Sequence, residues 1–461
     1  MFSLLGPVRS CINKWPTLLS PMCSQASSIF ARTVRAYGTD HRDSFSGRIG
    51  KFDLKGKPSI IVPLGAKKVL VPSDKQAEIW RQKAALVEEY INLDPLEKQV
   101  ILMDLSIERF ARSKGSPPLR GDSKEDINQL RLWVNSEAER SGVTPVTQYF
   151  PSNEGDSSKK VDVISSIVAT INKCLAQEEF SAPAQVKSVS EYFWNTDQIS
   201  EYMLPFASDS EELYTMVDMG LPLLDCSTLY HEVGIGSGEG ILEIVRRGAQ
   251  ENRIPGCIVG TDINRYSLEA LKLLVEDGFG GLDNVFLRHA NAAEPIDMGQ
   301  LGFSPNSFVL AANRFFSILD PSVFRSVVRS FSEQMQGNGY LVAGINTTSP
   351  ENMELLEEFY GENPMYQVED NELGKVVYRK NPFAKRMEAE GLNEKDLVKI
   401  IHKETGIPIE EIDISRIVRQ VYYHPERFID RIEKESFATL DTRIVKRNPS
   451  RLVALFKRNP S

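Results

Sequence analysis

Glu232-Val-Gly-Ile-Gly-Ser-Gly-Glu-Gly240 is the stretch of sequence that decides the fold. It begins inside Leu229 to Val233, which predicts the first β-strand, and it leads into Gly240 to Arg247, which predicts a helix. Glycine residues between a strand and a helix permit positive φ angles and a close approach of the backbone to a ligand. The pattern therefore predicts a ligand above the carboxyl end of the strand, at the N-terminus of the helix.

The spacing of the loop disfavours a phosphate-binding role. A dinucleotide-binding loop needs glycine at the sixth position counted from Gly234, where this chain has Glu239, and no Gly-Lys-Ser or Gly-Lys-Thr triplet of a P-loop occurs. The carboxylates of Glu232 and Glu239 would also repel a pyrophosphate.

Downstream of the loop, apolar runs alternate with helical patterns, which predicts βα units around a parallel sheet. Strand four ends in Ala311-Ala-Asn313-Arg-Phe-Phe316. Residues 442–457 predict two strands joined by a turn at Asn448-Pro449-Ser450, and these would close the sheet with an antiparallel strand. The predicted strands are Gly256–Asp262, Asn284–Arg288, Ser307–Ala312, Gly339–Gly344 and Ile407–Ile414, and the predicted helices are Ser267–Glu276, Pro321–Gln334 and Glu394–Thr405 with Asn393 as its cap.

The glycine loop resembles the first motif of the class I S-adenosylmethionine-dependent methyltransferases, a strand that ends in (Glu or Asp)-x-Gly-x-Gly-x-Gly. The resemblance implies an α/β fold with a Rossmann-like, seven-stranded methyltransferase sheet, and S-adenosyl-L-methionine as the cofactor. It also implies roles for single residues: Glu232, Gly234, Gly236 and Gly238 at the aminoacyl side, Asp262 at the ribose, Asn291 at the adenine, and Asn313 beside the transferred methyl group.

No catalytic residue is predicted, because methyl transfer often needs positioning more than a strong base. His231 and His289 are interpreted as packed histidines. The Asn-Pro-Pro-Tyr motif of many amino-group methyltransferases is absent, which disfavours N-methylation of nucleic-acid bases or glutamine. An aromatic group, Tyr192-Phe-Trp194, is interpreted as core packing, with a lid over a ligand as the alternative.

The chain divides into three predicted regions. Residues 1–37 contain four basic and no acidic residues, which indicates a mitochondrial presequence and a matrix location, with a cytoplasmic location as the alternative. Residues 38–200 predict a mostly helical N-terminal region. Residues 201–461 predict the methyltransferase domain, with insertions at about 350–390 and 417–438.

Composition excludes several classes of protein. The five cysteines form no Cys-x-x-Cys pair, so neither a metal site nor a disulfide framework is predicted. No apolar run is long enough to span a membrane. The net charge of −9, despite basic stretches at both ends, argues against general capture of a nucleic-acid backbone. The sequence does not predict the oligomeric state.

The leading hypothesis is an enzyme that methylates oxygen or carbon of a small molecule. Two alternatives stay open: a mitochondrial methyltransferase that acts on a protein or on rRNA, and a non-catalytic, methyltransferase-like assembly factor. The basic residues of 442–461 and the N-terminal half, which matches no family by its motifs, motivate these alternatives.

Overall fold

A computed structural model describes residues 73–93, 95–115, 124–146, 156–180, 184–196, 211–236, 238–282, 284–296, 301, 303–335, 338–445 and 450–460. The predicted presequence, residues 1–37, lies outside this part of the chain. Among the helices of these residues, none is long and apolar enough to cross a membrane.

Ten strands form one sheet, and seven of them make its main body. In this body β1 to β5 are parallel and run in the order β3-β2-β1-β4-β5; β10 pairs antiparallel with both β5 and β9. The seven strands are β1 Thr228–Val233, β2 Cys257–Asp262, β3 Val285–His289, β4 Ser307–Asn313, β5 Gly339–Thr347, β9 Phe437–Val445 and β10 Arg451–Arg458.

This order confirms the predicted α/β fold with a Rossmann-like sheet, and the described residues add three strands to the seven that were predicted. Every residue of β1 and β2 is buried, as in a parallel sheet covered on both faces, and this includes the polar His231, Glu232 and Asp262. The chain order reverses between β1 and its two neighbours, β2 and β4. In an open parallel sheet such a point leaves a crevice above the carboxyl ends of the strands, and ligands bind there.

The other three strands, β6 Tyr366–Asn371, β7 Gly374–Lys380 and β8 Arg416–Tyr423, extend the sheet beyond the end of β5. Asn346 and Thr347 of β5 pair in parallel with the last two residues of β8, and β6 and β7 form a hairpin. The hairpin continues the sheet because β7 pairs antiparallel with β8.

One prediction about this region is wrong. The segment Ile407–Ile414 is not a strand: Gly406 ends the preceding helix at φ 75°, and Ile409–Glu411 form a 3-10 turn. Ile407 and Ile412 are apolar because they pack in a cluster around Phe193 and Phe383, and not because they belong to the sheet. The insertion at 417–438 stays a prediction; this stretch contains most of β8 and the helix that leads into β9.

Thirteen α-helices surround the sheet in the described residues. The helices are α1 Ser73–Ile91, α2 Pro95–Lys114, α3 Lys124–Arg140, α4 Asp156–Glu179, α5 Val189–Thr196, α6 Glu211–Gly220, α7 Glu239–Gln250, α8 Arg265–Leu273, α9 Phe324–Gln334, α10 Pro350–Leu356, α11 Ala384–Glu390, α12 Glu394–Thr405 and α13 Pro425–Glu433.

Polar caps fix two of the helix starts. Asn393 caps α12 as predicted, since its side chain accepts a hydrogen bond from the backbone N–H of Asp396. Asn264 caps α8, directly after β2, by accepting from the N–H groups of Tyr266 and Ser267.

The N-terminal helices α1 and α2 cover one face of the sheet. Trp80, Val87 and Leu105 belong to the same apolar cluster as Ile241 and Ile258 of the sheet domain. Burial of a side chain of this size stabilises the fold by about 1.5–3 kcal/mol. The opposite face packs against α9 and α13. The sheet is therefore closed on both faces, and its carboxyl end is the edge that remains for a ligand.

Candidate functional site

A cleft of about 1470 Å³, counting the part that opens to solvent, lies at the carboxyl ends of β1, β2, β4 and β5. Five of the seven residues predicted from the sequence line it: Gly234, Gly236, Asp262, Asn291 and Asn313. The structure therefore brings together, at the reversal of strand order, residues that are up to 79 positions apart in the sequence.

Gly236 leaves the wall of the cleft open. Its φ is 53°, a left-handed conformation that side chains rarely adopt, and a Cβ built at this position would meet no heavy atom within 4 Å. The backbone N–H of Gly236 donates to Oδ2 of Asp262 at 3.0 Å. A glycine here thus provides space for a ligand and joins the end of β1 to the end of β2.

Glu232 lies behind the loop, outside the lining of the cleft. A Cβ at Gly240 would approach its Oε1 to 2.3 Å, so the carboxyl group packs directly under the start of α7. It accepts a hydrogen bond from the hydroxyl of Tyr230 at 3.3 Å, and burial raises the pKa of Glu232 to about 8. Gly238 is also behind the wall, where a Cβ would collide with Leu271. Contact of Glu232 and Gly238 with a cofactor stays a prediction.

Asp262 presents its carboxylate at the end of β2. Its Oδ1 accepts from the N–H of Asn264 at 2.7 Å, and its Oδ2 accepts from Gly236. Burial raises the pKa of Asp262 to about 6, although the backbone hydrogen bonds favour the ionised form. At neutral pH the group is therefore mainly ionised, and its remaining lone pairs suit the two hydroxyl groups of a vicinal diol.

Asn291 uses its side chain to hold the wall of the cleft together. The amide oxygen accepts from the N–H of Ala293, and the amide nitrogen donates to the carbonyl of Gln185, both at 2.9 Å. The side chain also hydrogen-bonds Glu191, whose pKa is raised mainly by burial. These contacts attach the segment 184–196 to the exit of β3. Binding of the adenine amino group by Asn291 stays a prediction. The amide oxygen has one lone pair left to accept a hydrogen bond from that group.

The end of β4 carries two unusual residues. The buried side-chain oxygen of Asn313 has no hydrogen-bond partner among the described residues. The next residue, Arg314, has a φ of 56°, which is uncommon outside glycine and is a form of backbone strain found at ligand sites. Its Nε donates to Oε2 of Glu212 at 3.0 Å.

Sequence reasoning missed the rest of the lining, because these residues come from elements far apart along the chain. One signal was present: the alternative interpretation of the aromatic group as a lid. Trp194 does line the cleft, whereas Tyr192 and Phe193 pack in the core, so each interpretation is right for part of the group. The missed lining residues include Ser190 and Glu191 of α5, Asn346 of β5, Arg419 and Gln420 of β8, and Arg451 of β10.

The two histidines do not line the cleft. Nε2 of His231 hydrogen-bonds Oγ1 of Thr261 at 2.9 Å, and burial lowers the pKa of His231 to about 3, so the ring is neutral. Nε2 of His289 lies 2.9 Å from the carbonyl oxygen of Ile263. The described residues contain no group of three or more His, Cys, Asp or Glu residues that could hold a metal ion.

No protein-family model and no curated protein sequence matches the chain. Several solved structures show similarity at low identity. A magnesium protoporphyrin IX methyltransferase from Synechocystis, crystallised with S-adenosylhomocysteine, is 9% identical; the match covers 59% of this chain and 98% of that chain, with a TM-score of 0.36.

A methyltransferase from Anabaena variabilis is 11% identical over 54% of this chain and 84% of that chain, with a TM-score of 0.33. A 1,6-didemethyltoxoflavin-N1-methyltransferase from Burkholderia thailandensis is 9% identical over 55% of this chain and 80% of that chain, with a TM-score of 0.32. At these values the fold assignment rests on the strand order of the chain itself.

Proposed function

We propose that this chain is a class I S-adenosylmethionine-dependent methyltransferase that methylates oxygen or carbon of a small molecule. One observation carries the proposal: the buried Asp262 at the end of β2 and the open, positive-φ Gly236 at the end of β1 are hydrogen-bonded to each other on the wall of one cleft. This pairing provides a diol-binding carboxylate beside a stretch of backbone that a ligand can approach.

The residues present fit this cofactor better than a dinucleotide. Glu239 and Glu191 line the same end of the cleft as Asp262, and a pyrophosphate would be repelled by this group of carboxylates. S-adenosylmethionine carries a sulfonium and an ammonium, which carboxylates attract, and a ribose diol, from which carboxylates accept hydrogen bonds. When bound, it supplies a methyl group whose bond to sulfur breaks as the acceptor oxygen or carbon forms its own bond, leaving S-adenosylhomocysteine and a proton for solvent.

The residues of this chain contribute mainly by positioning. Asp262 would hold the ribose, and the backbone at Gly234 and Gly236 would lie against the cofactor. Phe315 closes the space beside Gly234, where a Cβ would meet its ring at 2.9 Å. Trp194 contributes a second aromatic group to the wall, so part of the cleft has an apolar surface. Fixing two reactants in this way supplies a large part of a methyl-transfer rate without a general base.

The shape of the cleft supports a small acceptor. The helix α5 and the strand β8 both contribute to its wall, so the acceptor side is built by the segment before the sheet and by the sheet extension. About 1470 Å³ accommodates a cofactor together with a small molecule.

The proposal is tested by incubating the purified chain with S-adenosylmethionine and a small-molecule extract of cells, and by measuring S-adenosylhomocysteine. We expect S-adenosylhomocysteine to form only when both the enzyme and the extract are present. The Asp262→Ala variant should form none. If a well-folded protein binds S-adenosylmethionine but forms no product, the assembly-factor alternative is favoured. Product formed only with added protein or rRNA would replace the small acceptor by a macromolecule.

We also propose a mitochondrial matrix location, supported by the basic, acid-free composition of residues 1–37. Import of the labelled chain into isolated mitochondria tests it. We expect a protease-protected product shortened by roughly 37 residues, as the length of the predicted presequence implies. A chain that stays accessible to protease at full length contradicts this location.

A further inference from the structure

Three arginines line the cleft: Arg314 directly after β4, Arg419 of β8 and Arg451 of β10. Arg419 and Arg451 are each only 6% exposed. The guanidinium of Arg419 lies 5.7 Å from the centre of the Trp194 ring, and the carbonyl of Trp194 accepts from Asn264 beside Asp262. β2 and β10 are four strands apart in the sheet, which places Asp262 and Arg451 about 19 Å apart. Arg451 thus lies at a separate end of the cleft.

Two of these arginines share a single carboxylate. Both Arg314 and Arg451 form ion pairs with Oε2 of Glu212, which is buried in α6. Burial lowers the pKa of Arg451 to about 10, against the opposing effect of Glu212, so Arg451 is still charged at neutral pH. Two guanidinium groups and one carboxylate leave one positive charge in excess. The side chain of Arg314 is 28% exposed, so solvent screens part of this charge, whereas Arg451 is almost fully buried, and charge there is costly unless something neutralises it.

A neutral polar group lies beside this excess charge. Asn346 of β5 is directly opposite Arg451 in the β5–β10 ladder, lines the cleft and is 1% exposed. Its side-chain oxygen is buried and has no hydrogen-bond partner among the described residues. A buried amide oxygen without a donor is unusual in a folded protein and needs an explanation. The oxygen and the NH2 group of an asparagine exchange places when the amide turns by half a rotation, so this position can present two N–H donors to an anion.

We infer that the small-molecule acceptor carries a carboxylate, which Arg451 and Arg314 bind with help from Asn346. This inference rests on the proposed function and names the acceptor class of the same site. A carboxylate brings one negative charge, which equals the excess on the Arg314–Glu212–Arg451 group. The guanidinium fork also matches the planar geometry of a carboxylate.

The homocysteine carboxylate of the cofactor is the main competing ligand for these arginines, because Arg314 follows Asn313 at the methyl-transfer wall. The variant Arg451→Met separates the two possibilities. If Arg451 binds the acceptor, the variant keeps its affinity for S-adenosylhomocysteine within about threefold. Its kcat/KM for the acceptor falls at least about 30-fold, because a charge-assisted contact with the acceptor is lost. The matched control is Arg443→Met, an exposed arginine on the neighbouring strand β9, which should change neither quantity.

The acceptor class is tested by separating a deproteinised small-molecule extract on an anion exchanger at pH 7. Each fraction is then incubated with the enzyme and methyl-labelled S-adenosylmethionine. We expect label to be transferred only to molecules of the retained, anionic fraction. Transfer to the unretained fraction overturns the inference and leaves the proposed function standing.

Two further outcomes contradict the inference. A folded Arg451→Met protein that no longer binds S-adenosylhomocysteine would show that the arginine holds the cofactor. Absence of label in both fractions, with cofactor bound, overturns the proposed function and the inference with it. If Arg451→Met does not fold, Glu212→Gln takes its place, because this variant keeps both arginines. We expect Glu212→Gln to lower the KM for the anionic acceptor several-fold. An unchanged or higher KM overturns the inference.

Discussion

The two ends of the cleft are built in different ways. At the end of β1 and β2, the groups expected to hold the cofactor come from 29 consecutive residues, Gly234 to Asp262, and hydrogen-bond each other. At the other end, the arginine group combines Glu212, Arg314 and Arg451, which span 240 residues of sequence. The Asp262 end therefore forms within a single strand–loop–helix–strand unit. The arginine end forms only when strands from distant parts of the chain have assembled into the sheet.

Removal of the Asp262 carboxylate gives the sharpest contrast between the two ends. Asp262→Ala should weaken S-adenosylhomocysteine binding about 100-fold, because two charge-assisted hydrogen bonds to a ribose diol are worth about 3 kcal/mol together. Calorimetric titration measures this loss. The matched control is Asp320→Ala, which removes a carboxylate from the lining on the β4 side and should change the affinity less than threefold. Equal losses in both variants would mean that the ends are not separate.

This contrast also explains what the sequence made predictable. The loop, Asp262, Asn313 and the parallel strands were predicted because each depends on residues near one another in sequence. Arg451 was counted only among the basic residues of 442–461. The sequence predicts an antiparallel closing strand there, but nothing local shows that Arg451 lies opposite Asn346 of β5. Glu232 matched the motif, but the motif does not show that its carboxyl group points behind the loop.

The pH dependence of cofactor binding should follow Asp262 alone. The ionised carboxylate accepts hydrogen bonds from the ribose, and its pKa is about 6, so binding should be strongest above that pH. At pH 5, one unit below the pKa, only about a tenth of the Asp262 carboxyl groups are ionised, so S-adenosylhomocysteine binding should be about tenfold weaker than at pH 8. Calorimetry across this range tests it. The Asp262→Asn variant should bind weakly at every pH, and a profile as steep as that of the wild type would contradict the assignment.

Gly236→Ala tests whether the open wall of the loop is cofactor space. A methyl group at a φ of 53° costs about 1 kcal/mol of backbone strain, and it would also enter the cleft. We expect S-adenosylhomocysteine affinity to fall about fivefold, as an extra methyl group in a ligand site implies. The matched control is Gly391→Ala, which has a φ of 65° and equally open surroundings at the end of α11. In urea unfolding, Gly391→Ala should lose about as much stability as Gly236→Ala, but its affinity for S-adenosylhomocysteine should not change. A loss of affinity in both variants would indicate a general effect of backbone strain.

Glu232→Gln separates the supporting role of the motif glutamate from a binding role. The folded pKa of about 8 lies above the value of 4.5 expected without burial, so between these values the folded state holds more protons than the unfolded state. Stability should therefore fall as the pH rises through this window. The neutral glutamine removes that loss, and we expect it to raise the free energy of unfolding by several kcal/mol at pH 9 and by almost nothing at pH 4, since each pH unit between the two pKa values is worth about 1.4 kcal/mol. An equal change at both pH values would contradict the assigned protonation state.

The position of bound S-adenosylhomocysteine in a crystal structure tests the account most directly. The account predicts that the ribose hydroxyls lie within hydrogen-bonding distance of Asp262, that the sulfur faces the wall at Asn313, and that Arg451 and Asn346 make no contact with the ligand. A homocysteine carboxylate paired with Arg451, or an adenosine bound away from Asp262, would contradict the division of the cleft into a cofactor end and an acceptor end.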